Sequence, residues 1–173
     1  MMWTMHRATF LVLIASIFSL FVLGCSKPKA PTLTPDTTTI TSVTPKGIGV
    51  RVTLAAYNPN DFALTTQKVS AKIVLDNKVT LGPIDKPHGV SLPANSTTKV
   101  TFDLDATWAQ AAQIAQLATG GPTVPYVVDG TMTIGGKTLN VDLPFKLKGE
   151  VSQAQLIAAG LNGLKIPGLP MIR

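Results

Sequence analysis

The chain has 173 residues, a formal net charge of +6 and few aromatic residues, and its length suits one domain with a real core. Its lysines stand singly, without the clustering and interleaved aromatics of a nucleic-acid interface, so no nucleic-acid partner is expected. Its one cysteine excludes a disulfide within the chain.

The first residues have the pattern of an export signal. Arg7 precedes an uncharged apolar stretch over residues 8–23, which is short of the roughly 20 residues that a spanning helix needs. At the end of this stretch stands the sequence Val22-Leu23-Gly24-Cys25, which resembles the lipobox of bacterial lipoproteins. The resemblance implies cleavage between Gly24 and Cys25, and a Cys25 that carries N-palmitoyl and S-diacylglycerol groups. The alternative is that Cys25 is an apolar residue of a membrane helix.

An acylated Cys25 implies a protein of the bacterial cell envelope, with membrane lipid as its partner. By resemblance to enterobacterial sorting, Ser26 favours the outer membrane, with the domain facing the periplasm. Residues 25–37 are rich in Pro and Thr and predict a semi-extended tether, which at about 3.1 Å per residue would reach some 30 Å or more from the bilayer. We therefore expect a signal peptide at 1–24, this tether, a domain at 38–150 and a tail at 151–173.

Apolar residues alternate with polar ones through much of the domain, which predicts one strand after another. The turn signals are Asp76-Asn77 and, as a two-residue hairpin, Gly135-Gly136. Pro144 cannot donate to a sheet ladder and should face a sheet edge or solvent. The predicted strands cover residues 50–57, 68–75, 78–81, 100–105, 126–134 and 139–148, within a total of about seven.

Residues 108–118 break this alternation and have helical spacing. They predict a short helix with Asp105 or Thr107 as its N-cap. Trp108 is expected to anchor the helix over the open end of the fold, in preference to stacking on a ligand. The pattern as a whole predicts an all-β fold, a seven-stranded antiparallel sandwich of two sheets with one short crossover helix.

A family resemblance begins at Tyr57-Asn58-Pro59-Asn60, at the end of an alternating strand. The loop at 92–94, the strand at 126–130 and a last strand ending at Gly149 follow in the same order. Over residues 38–150 the chain resembles the WHy (water stress and hypersensitive response) domain of the late embryogenesis abundant group 2 family. This resemblance implies a fibronectin- or immunoglobulin-like sandwich with a role in water stress and the desiccation response.

The residues of this motif are those of a turn. An Asn side chain bonds nearby backbone, Pro fixes φ, and Asn tolerates a left-handed conformation. Asn58, Pro59 and Asn60 are therefore interpreted as a structural signature, and Asn60 is the residue expected to tolerate the left-handed conformation.

Residues for catalysis are scarce. Once the signal peptide is removed the remaining histidine is His88, which is expected to be solvated in a loop. Asp103 and Asp105 lie on one face of a strand, where helix capping explains them better than acid–base chemistry. No catalytic residues, metal site or cofactor are therefore expected, and the protein is not expected to be an enzyme.

The tail at 151–173 is too apolar for a solvated segment. It is expected to pack on the sandwich, or else to contact a partner or the bilayer surface. The leading functional hypothesis is a lipid-anchored protein that protects envelope components or client proteins in water or osmotic stress. The alternative is a structural envelope adaptor that docks a protein partner through sheet edges or the tail.

Overall fold

The computed structural model describes residues 27–109, 113, 117, 121–137 and 139–163. The predicted signal peptide and the predicted cleavage site between Gly24 and Cys25 lie outside these residues, as does the tail from residue 164 onward. The described part contains eight strands and a C-terminal helix. They are β1 (Thr32–Val43), β2 (Gly47–Asn58), β3 (Leu64–Leu75), β4 (Val79–Pro87), β5 (Ser91–Leu92), β6 (Ser96–Thr107), β7 (Thr123–Gly135), β8 (Asn140–Ser152) and α1 (Gln153–Gly163).

The strands form two antiparallel sheets. One has the order β1-β2-β6, and the other has the order β4-β3-β7-β8 with β5 paired to β3. The edge strands of the two sheets meet, β1 against β8 and β4 against β6, and this completes an all-β sandwich. The expected number of seven strands is wrong because β5, with two residues, is too short to show any alternation. Pro144 is exposed on the edge strand β8, as its missing N–H requires.

The core lies between the sheets and is built from the inward residues of the alternating strands. In β2, every second residue from Ile48 to Ala56 is at most 2% exposed, and the inward apolar side chains of β3, β6 and β7 are likewise buried. Tyr126 and Met132 are the largest inward side chains of β7. Burial of these aliphatic side chains is the main term that stabilises the sandwich.

The first strand begins earlier than expected. β1 starts at Thr32, so residues 32–37, which we had assigned to the tether, pair with β2 between Thr53 and Tyr57. The segment has little to bury apart from Leu33, which packs partly against the core. It is held instead through backbone hydrogen bonds at a sheet edge, which hydrophobic alternation does not report.

One turn is as predicted and the other is shifted. Asp76 and Asn77 both adopt left-handed φ values, 48° and 52°, as a tight hairpin requires. The β7–β8 connection begins after Gly135, because Gly135 is still paired with Asn140 in the ladder. A Cβ at Gly135 would require the ends of the Gln67 and Asn140 side chains to move.

The predicted helix at 108–118 lies largely outside the described residues. Gln113 and Leu117 are described and are helical, and Leu117 is buried. Asp105 and Thr107, the expected N-caps, are residues of β6. The backbone N–H of Ala109 donates instead to Oε1 of Gln113 at 2.9 Å, as at the first turn of a helix.

Trp108 closes one end of the sandwich. Its indole is 9% exposed, and its Nε1–H donates to the backbone oxygen of Thr44 at 2.9 Å. Its backbone N–H donates to the oxygen of Lys46 at 3.1 Å. The ring therefore fixes the β1–β2 turn to the chain after β6, whereas most of the helix that it was expected to anchor lies outside the described residues.

The described part of the tail packs on the sandwich. Leu156 and Ala159 of α1 are buried, whereas Ile157 is 41% exposed. α1 contacts both β8 and β1, the neighbouring edge strands of the two sheets. Among the described residues, none of the helices has the length and apolarity needed to cross a membrane.

Candidate functional site

The most connected polar residue of the described chain is Asn58, at the end of β2. Its side chain is fully buried. Its Nδ2 donates to the backbone oxygens of Phe62 at 2.8 Å, Leu92 at 3.0 Å and Pro93 at 3.2 Å. One amide therefore ties the end of β2 to the β2–β3 loop and to the segment that precedes β6.

Asn60 is bonded to Asn58 through a local turn. Oδ1 of Asn58 accepts the backbone N–H of Asn60 at 3.1 Å and the Nδ2 of Asn60 at 3.0 Å. The first of these bonds is the Asx-turn geometry that this side chain favours, with Pro59 between the two asparagines. Asn60 itself does not adopt the left-handed conformation expected of it. That conformation is found instead at Asn95, with φ of 49°, and the N–H of Asn95 donates to the backbone oxygen of Asn60 at 2.9 Å.

The side chain of Asn60 also binds the chain that enters the domain. Its Oδ1 accepts the backbone N–H of Lys29 at 2.7 Å, and its Nδ2 donates to the backbone oxygen of Lys29 at 2.8 Å. We call these two bonds the Lys29 clamp, and we call Asn58, Asn60 and the backbone groups bonded to them the Asn hub. The clamp fixes the chain to the sandwich four residues after Cys25, within the segment that we expected to be a free tether.

The buried polar side chains of this region are all hydrogen-bonded. Within the described residues, every buried side-chain nitrogen or oxygen atom has a hydrogen-bond partner. A side-chain amide that is buried and fully bonded is rigid, and it recognises a fixed set of backbone groups. The Asn hub therefore positions chain segments, and its chemistry is that of structural attachment.

His88 is not the solvated residue that we expected. Its ring is half-buried, with Nδ1 at 2.6 Å from Oγ1 of the buried Thr66, and it packs edge-on against Phe102 with ring centroids 5.7 Å apart. Thr66 also accepts the backbone N–H of Val90 at 2.9 Å. The expectation failed because the ring's partners come from segments that are distant in sequence.

The two aspartates of β6 form ion pairs and do not cap a helix. Asp103 accepts two hydrogen bonds from the Arg51 guanidinium, at 2.8 and 2.9 Å, across the β2–β6 ladder. These hydrogen bonds, with the positive charge of Arg51, lower the pKa of the Asp103 carboxyl. Asp105 accepts Nζ of Lys86 at 2.8 Å. Capping was the wrong interpretation because the partners lie on neighbouring strands.

A second carboxyl on the other sheet is held charged in the same way. Two hydrogen bonds lower the pKa of Asp85, the larger effect coming from Ser70 and the smaller from Lys68. Lys68 Nζ lies 3.1 Å from Asp85 Oδ1. In the part of the chain that the structure describes, His, Cys, Asp and Glu form no group of three or more that could hold a metal ion.

The sequence matches one protein family. The model of the family described as "Late embryogenesis abundant protein" matches residues 53–149, more than half of the chain. No match is found among the curated proteins. The matched range begins within β2 and ends within β8, so it takes in Asn58 and Asn60, most of the larger sheet, the second half of β2 and all of β6.

Solved structures share the fold at low sequence identity. The solution structure of an Arabidopsis thaliana protein is 16% identical, with a TM-score of 0.58, and the match covers 76% of this chain and 88% of that one. A second solution structure, of an Arabidopsis protein described as late embryogenesis abundant, is 15% identical, with a TM-score of 0.58 and 86% of each chain covered. A crystal structure of an Archaeoglobus fulgidus protein is 14% identical, with a TM-score of 0.51, 72% of this chain and 95% of that one covered.

These likenesses show the sandwich fold, and the family match adds a sequence pattern over the same strands. The Asn-Pro-Asn turn from which the resemblance was first inferred lies inside the matched range, at the centre of the Asn hub. The chain therefore belongs to the late embryogenesis abundant protein family.

Proposed function

We propose that this protein is a lipid-anchored, WHy-type member of its family, which protects envelope components or client proteins during water or osmotic stress. Membership of the family suggests a water-stress-related role. The family match over residues 53–149 is the observation that carries the protective part of the proposal. The protein acts without catalysis, and no metal ion or cofactor takes part.

The anchor is the acylated Cys25. Its support is the sequence Val22-Leu23-Gly24-Cys25 at the end of an apolar, uncharged stretch. Acylation attaches the mature chain to membrane lipid in the bacterial envelope. Ser26 favours the outer membrane, with the sandwich facing the periplasm.

A polar sheet surface supports a protective mode of action. The exposed face of the three-stranded sheet is rich in hydroxyl groups, and each threonine hydroxyl can both donate and accept a hydrogen bond. As water is lost, such a surface offers replacement hydrogen bonds to lipid headgroups or to the surface of a client protein. The hydroxyl-rich face consists of Thr32, Thr34, Thr37, Thr39, Thr53, Thr97 and Thr101.

The anchor is tested by metabolic labelling with a palmitate analogue, followed by membrane fractionation. The native chain should be labelled and retained in membranes, and Cys25→Ala should lose both properties. Ser26→Ala is the matched control and should keep the label. An unlabelled native chain that stays in the membrane would mean a spanning segment at residues 8–25, which contradicts the proposal.

The protective role is tested by survival after drying or hyperosmotic shock. Cells with the native chain should survive better than cells that lack it, and Cys25→Ala should not restore survival if protection is needed at the membrane. Replacing Thr34, Thr37 and Thr39 by Val should weaken protection while the fold is retained, since these residues are exposed. Equal survival of all strains would refute the role.

The adaptor function is the second candidate, supported by the exposed Ile157 on α1. The buried Leu156 and Ala159 are occupied by the sandwich, so a partner would meet Ile157 and the sheet edges. A stable partner that copurifies with the native chain and is lost with Ile157→Glu would favour the adaptor over the protective role.

A further inference from the structure

We propose that the sandwich docks end-on to the membrane, with the end that carries the Asn hub resting on anionic lipid headgroups. We call this the hub end. It consists of residues 27–31, the loops at 59–63 and 88–95, and residues 136, 137 and 139. The inference rests on the acylation of Cys25 proposed above and adds a second contact to it, between this protein surface and the lipid headgroups.

The first argument is the length of free chain. The Lys29 clamp holds both backbone polar groups of Lys29 on Asn60, at 2.7 and 2.8 Å. Four Cα–Cα steps separate Cys25 from Lys29, and at no more than about 3.6 Å each they span about 14 Å. Acyl chains in the bilayer therefore keep Lys29 within about 14 Å of the lipid attachment point. A gap of 30 Å, as expected for a free tether, is excluded once Cys25 is acylated.

The second argument is the direction of the strands. β1, β3, β6 and β8 begin at the hub end, and β2, β4 and β7 finish there. β8 runs away from this end and leads into α1. Its 13 residues, at about 3.3 Å each, place α1 about 40 Å from the hub end. The hub loops therefore lie next to the bilayer, and the apolar tail begins on the far side of the sandwich.

The third argument is charge. The hub end exposes Lys27, Lys29 and Lys137 against the single acid Asp61, and within the described chain none of these lysines has an ion-pair partner. On the outer face of the five-stranded sheet, by contrast, the Asp129 carboxylate lies 3.9 Å from Nζ of both Lys72 and Lys146. An unpaired positive cluster at the end nearest the lipid complements anionic headgroups.

Partly exposed apolar side chains complete this surface. Phe62, Val90 and Leu139 belong to the loops of the hub end and are only partly buried against the core. Apolar side chains among lysines are the composition of surfaces that rest in the headgroup layer. The hub end thus offers both contacts that a bilayer surface accepts.

The test measures the distance of each end from the membrane. The full chain, acylated in cells, is reconstituted into vesicles of phosphatidylethanolamine and phosphatidylglycerol that carry an energy acceptor on their headgroups. A donor is attached through Ala94→Cys at the hub end or through Lys46→Cys at the opposite end, both exposed positions. Acylated Cys25 does not react with the label. Energy transfer should be several-fold more efficient from position 94 than from position 46.

Two further variants isolate the cause. About ten Gly and Ser residues inserted after Ser26 add a flexible coil with a root-mean-square span of about 16 to 19 Å. This insertion leaves the clamp intact and should reduce transfer from position 94. Replacing Lys27, Lys29 and Lys137 by Gln should also reduce the energy transfer from position 94, because the hub end loses the positive charge that attracts the headgroups. The clamp remains in this variant, since it uses only the backbone of Lys29. The control makes the same charge change on a sheet face, at Lys72, Lys146 and Lys148. This control should leave the energy transfer from position 94 unchanged.

The failures can be distinguished. Acylated, vesicle-bound protein with equal transfer from both positions, or with more from position 46, would overturn end-on docking and leave the anchor standing. If the hub-end variant with three Lys→Gln changes and the sheet-face control lose the same amount of energy transfer, headgroup recognition by the hub end would be overturned. A chain that carries no palmitate label and leaves the vesicles would overturn the anchor, and the docking surface with it.

Discussion

Asn58 uses the full hydrogen-bonding capacity of a primary amide. It supplies two N–H groups to the oxygens of the hub and one oxygen to both nitrogen groups of Asn60. Removing a fully buried side chain of this kind strands several backbone groups at once. The loss of folding free energy is therefore set by the number of partners left unpaired, and it exceeds the contribution of a single hydrogen bond.

Replacing Asn58 by Asp should destabilise the domain by about 2 to 4 kcal/mol, because a carboxylate oxygen would then face the carbonyl oxygens of Phe62 and Leu92. Asn140→Asp, at an exposed position, is the control and should change stability by no more than about 0.5 kcal/mol. The measurement is urea unfolding of the chain from residue 25 with Cys25→Ser. Equal midpoints for both variants would contradict the role of the hub.

Thr66→Val should cost about 1 to 3 kcal/mol of unfolding free energy. The substitution keeps the shape of the side chain but leaves the N–H of Val90 and Nδ1 of His88 without the hydroxyl that they contact. Thr53→Val is the matched control, since its hydroxyl meets Thr101 on an exposed sheet face. Thermal unfolding followed by circular dichroism should separate the two variants, and similar melting temperatures would argue against the Thr66 contacts.

At the scale of the element, the sequence predicted the strands whose alternating residues face the core. β2, β3, β6, β7 and β8 were all located, because their inward residues are large and aliphatic. The first half of β1 was missed, since backbone pairing at an edge leaves no apolar signal. β5 was missed because it has two residues.

The cross-strand pair of Arg51 and Asp103 links β2 to β6 and should influence stability at acid pH. The folded-state pKa of Asp103 is lowered, so its contribution is present above the unfolded value of about 3.9 and is lost as pH falls through the folded value. Arg51→Gln should raise the pKa of Asp103 in an NMR titration. Lys99→Gln, which removes a pair with Asp36, is the control and should leave that pKa unchanged. An unshifted pKa in Arg51→Gln would show that the pair is not formed in solution.

The C-terminal helix should stabilise the sandwich through one face. Leu156→Ala should cost about 2 to 4 kcal/mol of unfolding free energy, because Leu156 is fully buried. Ile157→Ala removes a similar side chain from a position that is 41% exposed and should cost well under 1 kcal/mol. The measurement compares the urea unfolding midpoints of the two variants, made in the same chain from residue 25. Equal costs would mean that α1 does not pack as described.

At the scale of the whole molecule, the family and the sandwich could be inferred from the sequence, whereas the attachment of the entering chain could not. The Asn-Pro-Asn turn was visible as a local pattern, but nothing in residues 26–31 indicates a bond to Asn60. The Lys29 clamp joins an asparagine side chain to backbone groups 31 residues away. Contacts between a side chain and distant backbone carry no residue-type signal at the backbone end.

The clamp should protect the link between the domain and the proposed lipid anchor from trypsin. The peptide bond after Lys29 is held against Asn60, and a protease needs several residues of free, extended chain. Acylated protein in vesicles should therefore stay attached under trypsin, whereas Asn60→Ala should be released at Lys29. Asn60→Ala combined with Lys29→Gln is the control that removes the cleavage site and should stay attached. Rapid release of the native chain at Lys29 would contradict the clamp.

The opposite placement of Lys29 and α1 also determines how the molecule bears mechanical load. β1 leaves the Lys29 clamp and runs antiparallel to β2 along its length, while the chain continues beyond α1 at the other end of the sandwich. A force between these two points acts parallel to the strands, so the β1–β2 hydrogen bonds are loaded together in shear and do not open one at a time. The sandwich should therefore resist extension along the line from Lys29 to α1 better than a pull that peels β1 from β2 one residue pair at a time.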